Sequence, residues 1–219
     1  MAQPNLLLYS YFRSSCAYRV RIALNLKGTP YALVPVHLLK DGGVQHSERY
    51  KIVNPSRQVP TLADGDAIIG QSMAILEYIE EKFPHPPLLP KSLTERALVR
   101  QMCEIVNSGI QPLQNLSVMQ FLERESKMVS PEDRQKWIHE WVSRGLQSLE
   151  ELLQLYSGKY CFGDQITMAD CLLVPQIFSS LRFKVDISPF KKCVEVNERC
   201  LKLTDFLKAS PERQPDFEP

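Results

Sequence analysis

A mixed α/β unit followed by an all-helical unit is the fold class that this sequence predicts. Three observations carry it. Residues 6–83 alternate short apolar runs with helical periodicity. A proline-dense segment, PHPPLLP at 84–90, then breaks the pattern. Beyond it, every long apolar pattern repeats at helical spacing. The expected boundaries are 1–84 and 92–219, and 219 residues are enough to bury a real core.

Each element has a local reason. LLLYSY (6–11) reads as a buried strand. Residues 15–27 read as a helix stopped by Gly28, a residue that ends helices without steric cost. YALVPVHL (31–38) reads as a second strand, and Pro35 places it at a sheet edge or an irregularity. Strand, helix, strand in that order predicts a parallel pair. TLADGDAIIG reads as a hairpin turning at Asp64-Gly65. Residues 71–83 repeat Ile75, Leu76, Ile79 and Phe83 at helical spacing.

In the second part, residues 93–122 predict a long helical region bent near Gly109 and Pro112. A further helix opens at Ser130, with Pro131 at its first position and Asp133 to close a capping box, and stops at Gly158. Its expected inner face is Trp137, Trp141, Leu149, Leu152, Leu153 and Tyr156. Thr167 and Asp170 form a second capping box ahead of an apolar helix, a structural feature rather than a chemical one. Cys193, Val196, Cys200 and Leu203 form a core stripe.

Composition excludes several classes. Lys+Arg 26 against Asp+Glu 25 leaves a net charge of +1, with no basic block to attract nucleic acid or an anionic membrane. The cysteines at 16, 103, 161, 171, 193 and 200 form no C-x-x-C pair and do not cluster with the histidines at 37, 46, 85 and 139, so no metal site is expected. MAQPNLLLYSYFR lacks the features of a signal peptide, and no apolar run approaches the roughly 20 residues of a membrane span. A reduced cytoplasmic setting with free thiols is expected, and a mitochondrial fraction is compatible with it.

Three strings can carry chemistry, each beside a plainer reading. SSC at 14–16 opens a helix. A serine there caps it, a contribution of about 1 kcal/mol. The same helix start, with free N–H groups and a positive dipole end, also suits an anion, and a Ser hydroxyl can donate to a thiolate. Cys16 at this place is a candidate reactive thiol. No G-x-S-x-G accompanies the serines, which disfavours a serine hydrolase. QVPTL at 58–62 begins a strand at Pro60; a cis Val59–Pro60 bond is the alternative, with Val59 pairing to an extended ligand. GQSMAI at 70–75 places Ser72 as a cap, or, with Gln71, as a carboxylate site.

The order of these strings is more specific than any one of them. YSYFRSSCAYRVRIAL, NPSRQVPTL, QSMAILEYIE, a proline-rich linker, GIQPLQNLSV and TMADCLLVPQ resemble the zeta class of glutathione transferases, from about residue 5 to 217. The most specific element is S-S-C-x-x-R-V-R. The resemblance implies a thioredoxin-like N-terminal domain, an all-helical C-terminal domain, glutathione as cofactor and a homodimer. It makes Ser14 the catalytic serine, flanked by Ser15 and Cys16. It implies glutathione contacts at residues Ser14 through Arg19, including Ala17 and Tyr18, and at Gln45, Val59, Pro60, Gln71 and Ser72. In the second part it implies them at Gln111, Asn115, Leu116 and Ser117. Arg13, Arg19 and Arg182 are the basic candidates for a dicarboxylate substrate. Tyr18 stands where the family motif leads us to expect Trp or His.

The implied activity is cis–trans isomerisation of a maleyl β-diketo acid, maleylacetoacetate to fumarylacetoacetate, in tyrosine and phenylalanine breakdown. A thiolate borrowed from glutathione would add, let the bond rotate and leave. The alternative is a general glutathione transferase acting on electrophiles such as α-haloacids. A glutathione-fold binding protein with a dead site and a Cys16 redox enzyme are the remaining readings. The intact Ser14, Gln71 and Ser72 oppose the former, and the missing C-x-x-C partner opposes the latter.

Overall fold

A computed structural model describes residues 5–125 and 130–218. They form two compact units. One takes in the described residues up to Pro87 together with those from Lys202 onward; the other spans Leu88–Leu201.

The first unit runs β1 (Leu6–Ser10), α1 (Ser15–Leu26), β2 (Tyr31–Pro35), α2 (Glu48–Val53), β3 (Thr61–Asp64), β4 (Ala67–Gly70) and α3 (Ser72–Lys82). The sheet order is β2-β1-β3-β4. β1 pairs β2 in parallel and β3 in antiparallel, and β3 pairs β4 in antiparallel. Strand alternation puts Leu8 opposite Leu62, both fully buried, with Ile75, Leu76 and Ile79 of α3 also in the core. β2 is an edge strand, which is why Pro35 is tolerated: its missing N–H costs no ladder bond. This strand stops at Pro35, short of the expected residue 38. The hairpin differs by one position from expectation. Asp64 pairs with Ala67, so Gly65 and Asp66 are the central residues, and Gly65 takes the positive φ of 59° that this tight turn requires.

The second unit contains α4 (Leu93–Glu104), α5 (Leu116–Glu125), α6 (Pro131–Tyr156), α7 (Met168–Arg182) and α8 (Lys191–Cys200). The expected long helix over 93–122 is interrupted by a π-helical segment at Ile105–Ile110 and a 3₁₀ turn at Gln111–Gln114. Both capping boxes close as the spacing predicts, at Ser130 with Asp133 and at Thr167 with Asp170. The buried stripe of α6 is Ile138, Val142, Leu146, Leu149 and Leu153: Leu149 and Leu153 are on the expected face, and Leu152 is half-buried, but the N-terminal half of that face is corrected. Trp137 and Trp141 are half-buried and Tyr156 is exposed. Spacings of four and three residues keep that stripe on one side of the helix. Gly145 lies beside it in close contact with Ile110: a Cβ there would sit 2.2 Å from the Ile110 side chain.

After α8, helix α9 (Thr204–Ala209) and the segment that follows return to the first unit. The expected boundary at residue 92 places them in the helical part. Their contacts lie instead with α1: Arg21 Nε donates to the Ala209 carbonyl at 2.9 Å and Asn25 Nδ2 to the Asp205 carbonyl at 2.9 Å. No helix of the described residues is long and apolar enough to cross a membrane.

Candidate active site

Ser14 keeps an extended backbone, φ −71°, ψ 116°, as an N-cap does, and caps α1. Its Oγ accepts from the Ala17 N–H at 3.2 Å, its carbonyl accepts from the Tyr18 N–H at 2.9 Å, and its own N–H donates to the Tyr11 carbonyl at 3.0 Å. The cap uses one lone pair of the hydroxyl, so the O–H remains a donor. With Ala17 and Tyr18 engaged, the first-turn N–H groups of Ser15 and Cys16 are the ones with no acceptor inside the helix. Ser14, Ser15 and Cys16 are each half-buried. The two readings of this helix start therefore coexist: the serine caps the helix, and the same turn presents an O–H, two N–H groups and the positive dipole end.

At α3 the expectation needs correction. Gln71, at φ 65°, is the capping position and makes no side-chain cap; its amide donates to Gln58 Oε1 at 3.3 Å. Ser72 lies inside the first turn and does not cap. It is 5% exposed, and its Oγ accepts from Arg19 Nη1 at 3.0 Å. Arg19, a basic candidate for the substrate and for glutathione, makes that bond from inside the fold. Its side chain is 1% exposed and runs from α1 to the start of α3. Tyr18 is likewise turned inward, 2% exposed, with its hydroxyl 3.5 Å from the Phe206 carbonyl.

The Val59–Pro60 bond is cis. The loop before it is braced by two residues that sequence reasoning passed over. Asn54 Nδ2 donates to the Gln58 carbonyl and to Thr61 Oγ1, each at 2.9 Å. The Tyr50 hydroxyl donates to the Gln58 carbonyl at 2.8 Å and lies 3.0 Å from Thr61 Oγ1. The Asn-Pro dipeptide marked a loop; nothing in its spacing marked a brace.

Gln45 is buried in the loop after β2. Its Nε2 donates to the Leu38 carbonyl at 3.2 Å, while its Oε1 is buried with no hydrogen-bond partner among the described residues. Gly43, at φ 97°, lets this amide in: a Cβ there would come within 2.4 Å of Nε2. Arg13, half-buried beside Ser14, donates to the Tyr11 hydroxyl at 3.2 Å and lies over the Tyr11 and Phe12 rings. Arg21 is fully buried. It donates to Ser10 Oγ and to the Tyr11 and Phe12 carbonyls, and burial pulls its pKa down to about 10. It is charged at neutral pH, and its donors brace the loop that leads to Ser14.

The remaining candidates belong to the second unit. Gln111 opens the 3₁₀ turn. Asn115 caps α5, its Oδ1 accepting from the Ser117 N–H at 3.0 Å and from Ser117 Oγ at 2.9 Å. Leu116 is half-buried at the start of α5. Arg182 ends α7, exposed, with its guanidinium 4.1 Å from the Phe183 ring centroid.

Comparison with known proteins points to one family over most of the chain. The family model for the glutathione S-transferase N-terminal domain matches residues 13–82, and that for the C-terminal domain matches residues 114–212. Maleylacetoacetate isomerase of Rattus norvegicus is 49% identical over 95% of this chain and 94% of its own length. A holo maleyl pyruvate isomerase, described as a bacterial zeta-class glutathione S-transferase, superposes with a TM-score of 0.93 at 38% identity, covering 97% of this chain and 100% of that one. Maleylacetoacetate isomerase of Anaeromyxobacter dehalogenans, solved with glutathione in its active site, has a TM-score of 0.88 at 42% identity, covering 97% and 98% of the two chains.

Proposed function

The chain belongs to the glutathione S-transferase family, and from that premise we propose that it is a zeta-class, glutathione-dependent isomerase converting maleylacetoacetate to fumarylacetoacetate. The observation that carries this reading is the first turn of α1, where the Ser14 hydroxyl keeps its hydrogen free to donate although its oxygen already caps the helix. The residues fit the cofactor. Gln45 Oε1, buried without a hydrogen-bond partner among the described residues, is an acceptor suited to a peptide amide. Gln45 and the Val59 backbone would hold the peptide, and Gln71 and Ser72 the γ-glutamyl end.

When bound, glutathione supplies the thiolate that adds to a conjugated double bond and leaves once the bond has rotated. Ser14 would donate its O–H to the anionic sulfur. The N–H groups of Ser15 and Cys16 and the helix dipole would stabilise the same charge. Together they would lower the thiol pKa below its free value of about 8.5 and so favour the thiolate. Arg13 is the basic side chain of this unit placed beside Ser14, and its planar fork suits a substrate carboxylate or charge developing on a carbonyl oxygen. Arg182 remains the basic candidate of the second unit. Homodimeric assembly, cytosolic residence and a place in tyrosine and phenylalanine breakdown rest on the family resemblance.

The test is conversion of a maleyl β-diketo acid with and without glutathione, for the wild-type protein and Ser14→Ala. Rapid conversion that requires glutathione and collapses with Ser14→Ala is expected. Tight glutathione binding without conversion would overturn the isomerase assignment in favour of conjugation or dehalogenation of electrophiles.

A further inference from the structure

Ser14 and Gln45 lie on two separate loops of the first unit, and the segment after α9 reaches both. Asp216 Oδ2 accepts from the Phe12 N–H at 2.9 Å. Phe217 sets its ring edge-on against Phe12, with centroids 5.5 Å apart at 88°. Glu218 bonds Lys40 through one carboxylate oxygen and lies 3.5 Å from His37 Nε2 through the other.

Each anchor stands close to a site residue. Phe12 is two positions before Ser14, and its carbonyl accepts from Arg21 Nη2 at 3.0 Å. Its peptide groups are thus held by α1 on the carbonyl and by Asp216 on the N–H. On the second loop, His37 Nδ1 accepts from the Leu39 and Lys40 N–H groups at 3.1 and 2.9 Å. The His37 carbonyl accepts from the Val44 N–H at 2.8 Å, and the Leu38 carbonyl accepts from the Gln45 amide. The Tyr11 ring packs on His37 at 4.9 Å and joins the two loops directly.

We propose that Asp216, Phe217 and Glu218 form a strap that holds the Ser14 loop and the Gln45 loop at one spacing, so that they are positioning residues for glutathione. The proposal rests on the glutathione reading above. The magnitudes favour a positional role over a stabilising one. Exposed ion pairs such as Glu218 with Lys40 add little to global stability. A displacement of about 1 Å at a reacting or binding group, by contrast, can cost about a hundredfold in rate. The carboxylate on the Phe12 N–H is a charge-assisted bond that fixes one backbone position.

The test compares wild-type protein with Asp216→Ala, Glu218→Ala, the double variant and Asp216→Asn. Hydrogen exchange, glutathione titration calorimetry and steady-state kinetics are the readouts. In the double variant, exchange across residues 11–16 and 37–46 should quicken by about tenfold while the rest of the chain is unchanged. The glutathione KM and Kd should rise by about tenfold, with kcat changing less. Asp216→Asn keeps an acceptor oxygen and should stay within about twofold of wild type. Unchanged or uniformly faster exchange would overturn the strap, as would loosened loops with unaltered glutathione binding. A wild-type protein that binds glutathione without isomerising would sink only the isomerase reading, because exchange and calorimetry judge the strap by themselves. Failure to bind glutathione at all would overturn both.

Discussion

Arg19 Nη1 donates to Ser72 Oγ at 3.0 Å, both side chains being buried, and so ties the helix capped by Ser14 to the first turn of α3. A buried hydroxyl held by a guanidinium has one orientation, and the cation lies within hydrogen-bond reach of a group expected to receive a carboxylate. Arg19→Ala should therefore raise the glutathione KM by about tenfold and lower kcat less. Arg19→Lys keeps the charge without the planar fork and should recover part of the loss. Equal losses in kcat and kcat/KM, with KM unmoved, would contradict this assignment.

Cys16 is half-buried in the first turn of α1, and no C-x-x-C partner accompanies it. If the borrowed thiolate does the chemistry, Cys16→Ala should retain most of the glutathione-dependent isomerisation. Loss of conversion to background, with glutathione still bound, would make the Cys16 thiol the reacting group.

Asp170 is fully buried and closes the box at α7. Oδ2 accepts from the Thr167 N–H at 2.7 Å and from Thr167 Oγ1 at 3.0 Å, and Oδ1 accepts from the Cys161 N–H at 2.8 Å. Asp170→Ala leaves buried donors without partners, and should cost about 3 kcal/mol in denaturant unfolding. Asp170→Asn, with a single acceptor oxygen, should fall between the two.

Lys82 and Tyr78 of α3 bond Asp64 at the end of β3 and hold its carboxyl below the ordinary value of 3.8. A depressed carboxyl binds its proton more tightly in the unfolded chain. Its contribution is therefore present above that ordinary value and lost as pH falls through the folded one. Thermal midpoints measured from about pH 6 down to about pH 2 should fall more steeply for the wild type than for Asp64→Asn. Parallel curves would show that the pair carries none of the acid sensitivity.

What the sequence by itself determined was local. Ser14 as a cap, the boxes at Ser130 and Thr167, and the interruption near Gly109 and Pro112 involve hydrogen bonds or turns within a few residues, so composition and spacing encode them. The order of the strings also carried the family, because those short pieces sit at the helix and strand starts that build the site. The tertiary structure decided which side each helix buries and where the chain returns. Ser72 looked like a cap until Arg19, 53 residues away, was found on its hydroxyl. Trp137 and Trp141 make as good a stripe in sequence as Ile138 and Val142, and only the packed helix shows that the second pair is the buried one. Asp216 gave no local sign of reaching Phe12 across 204 residues. Periodicity specifies that a face is apolar or that a group needs a partner; only the closed chain specifies which partner arrives, because that depends on contacts with no fixed spacing in sequence.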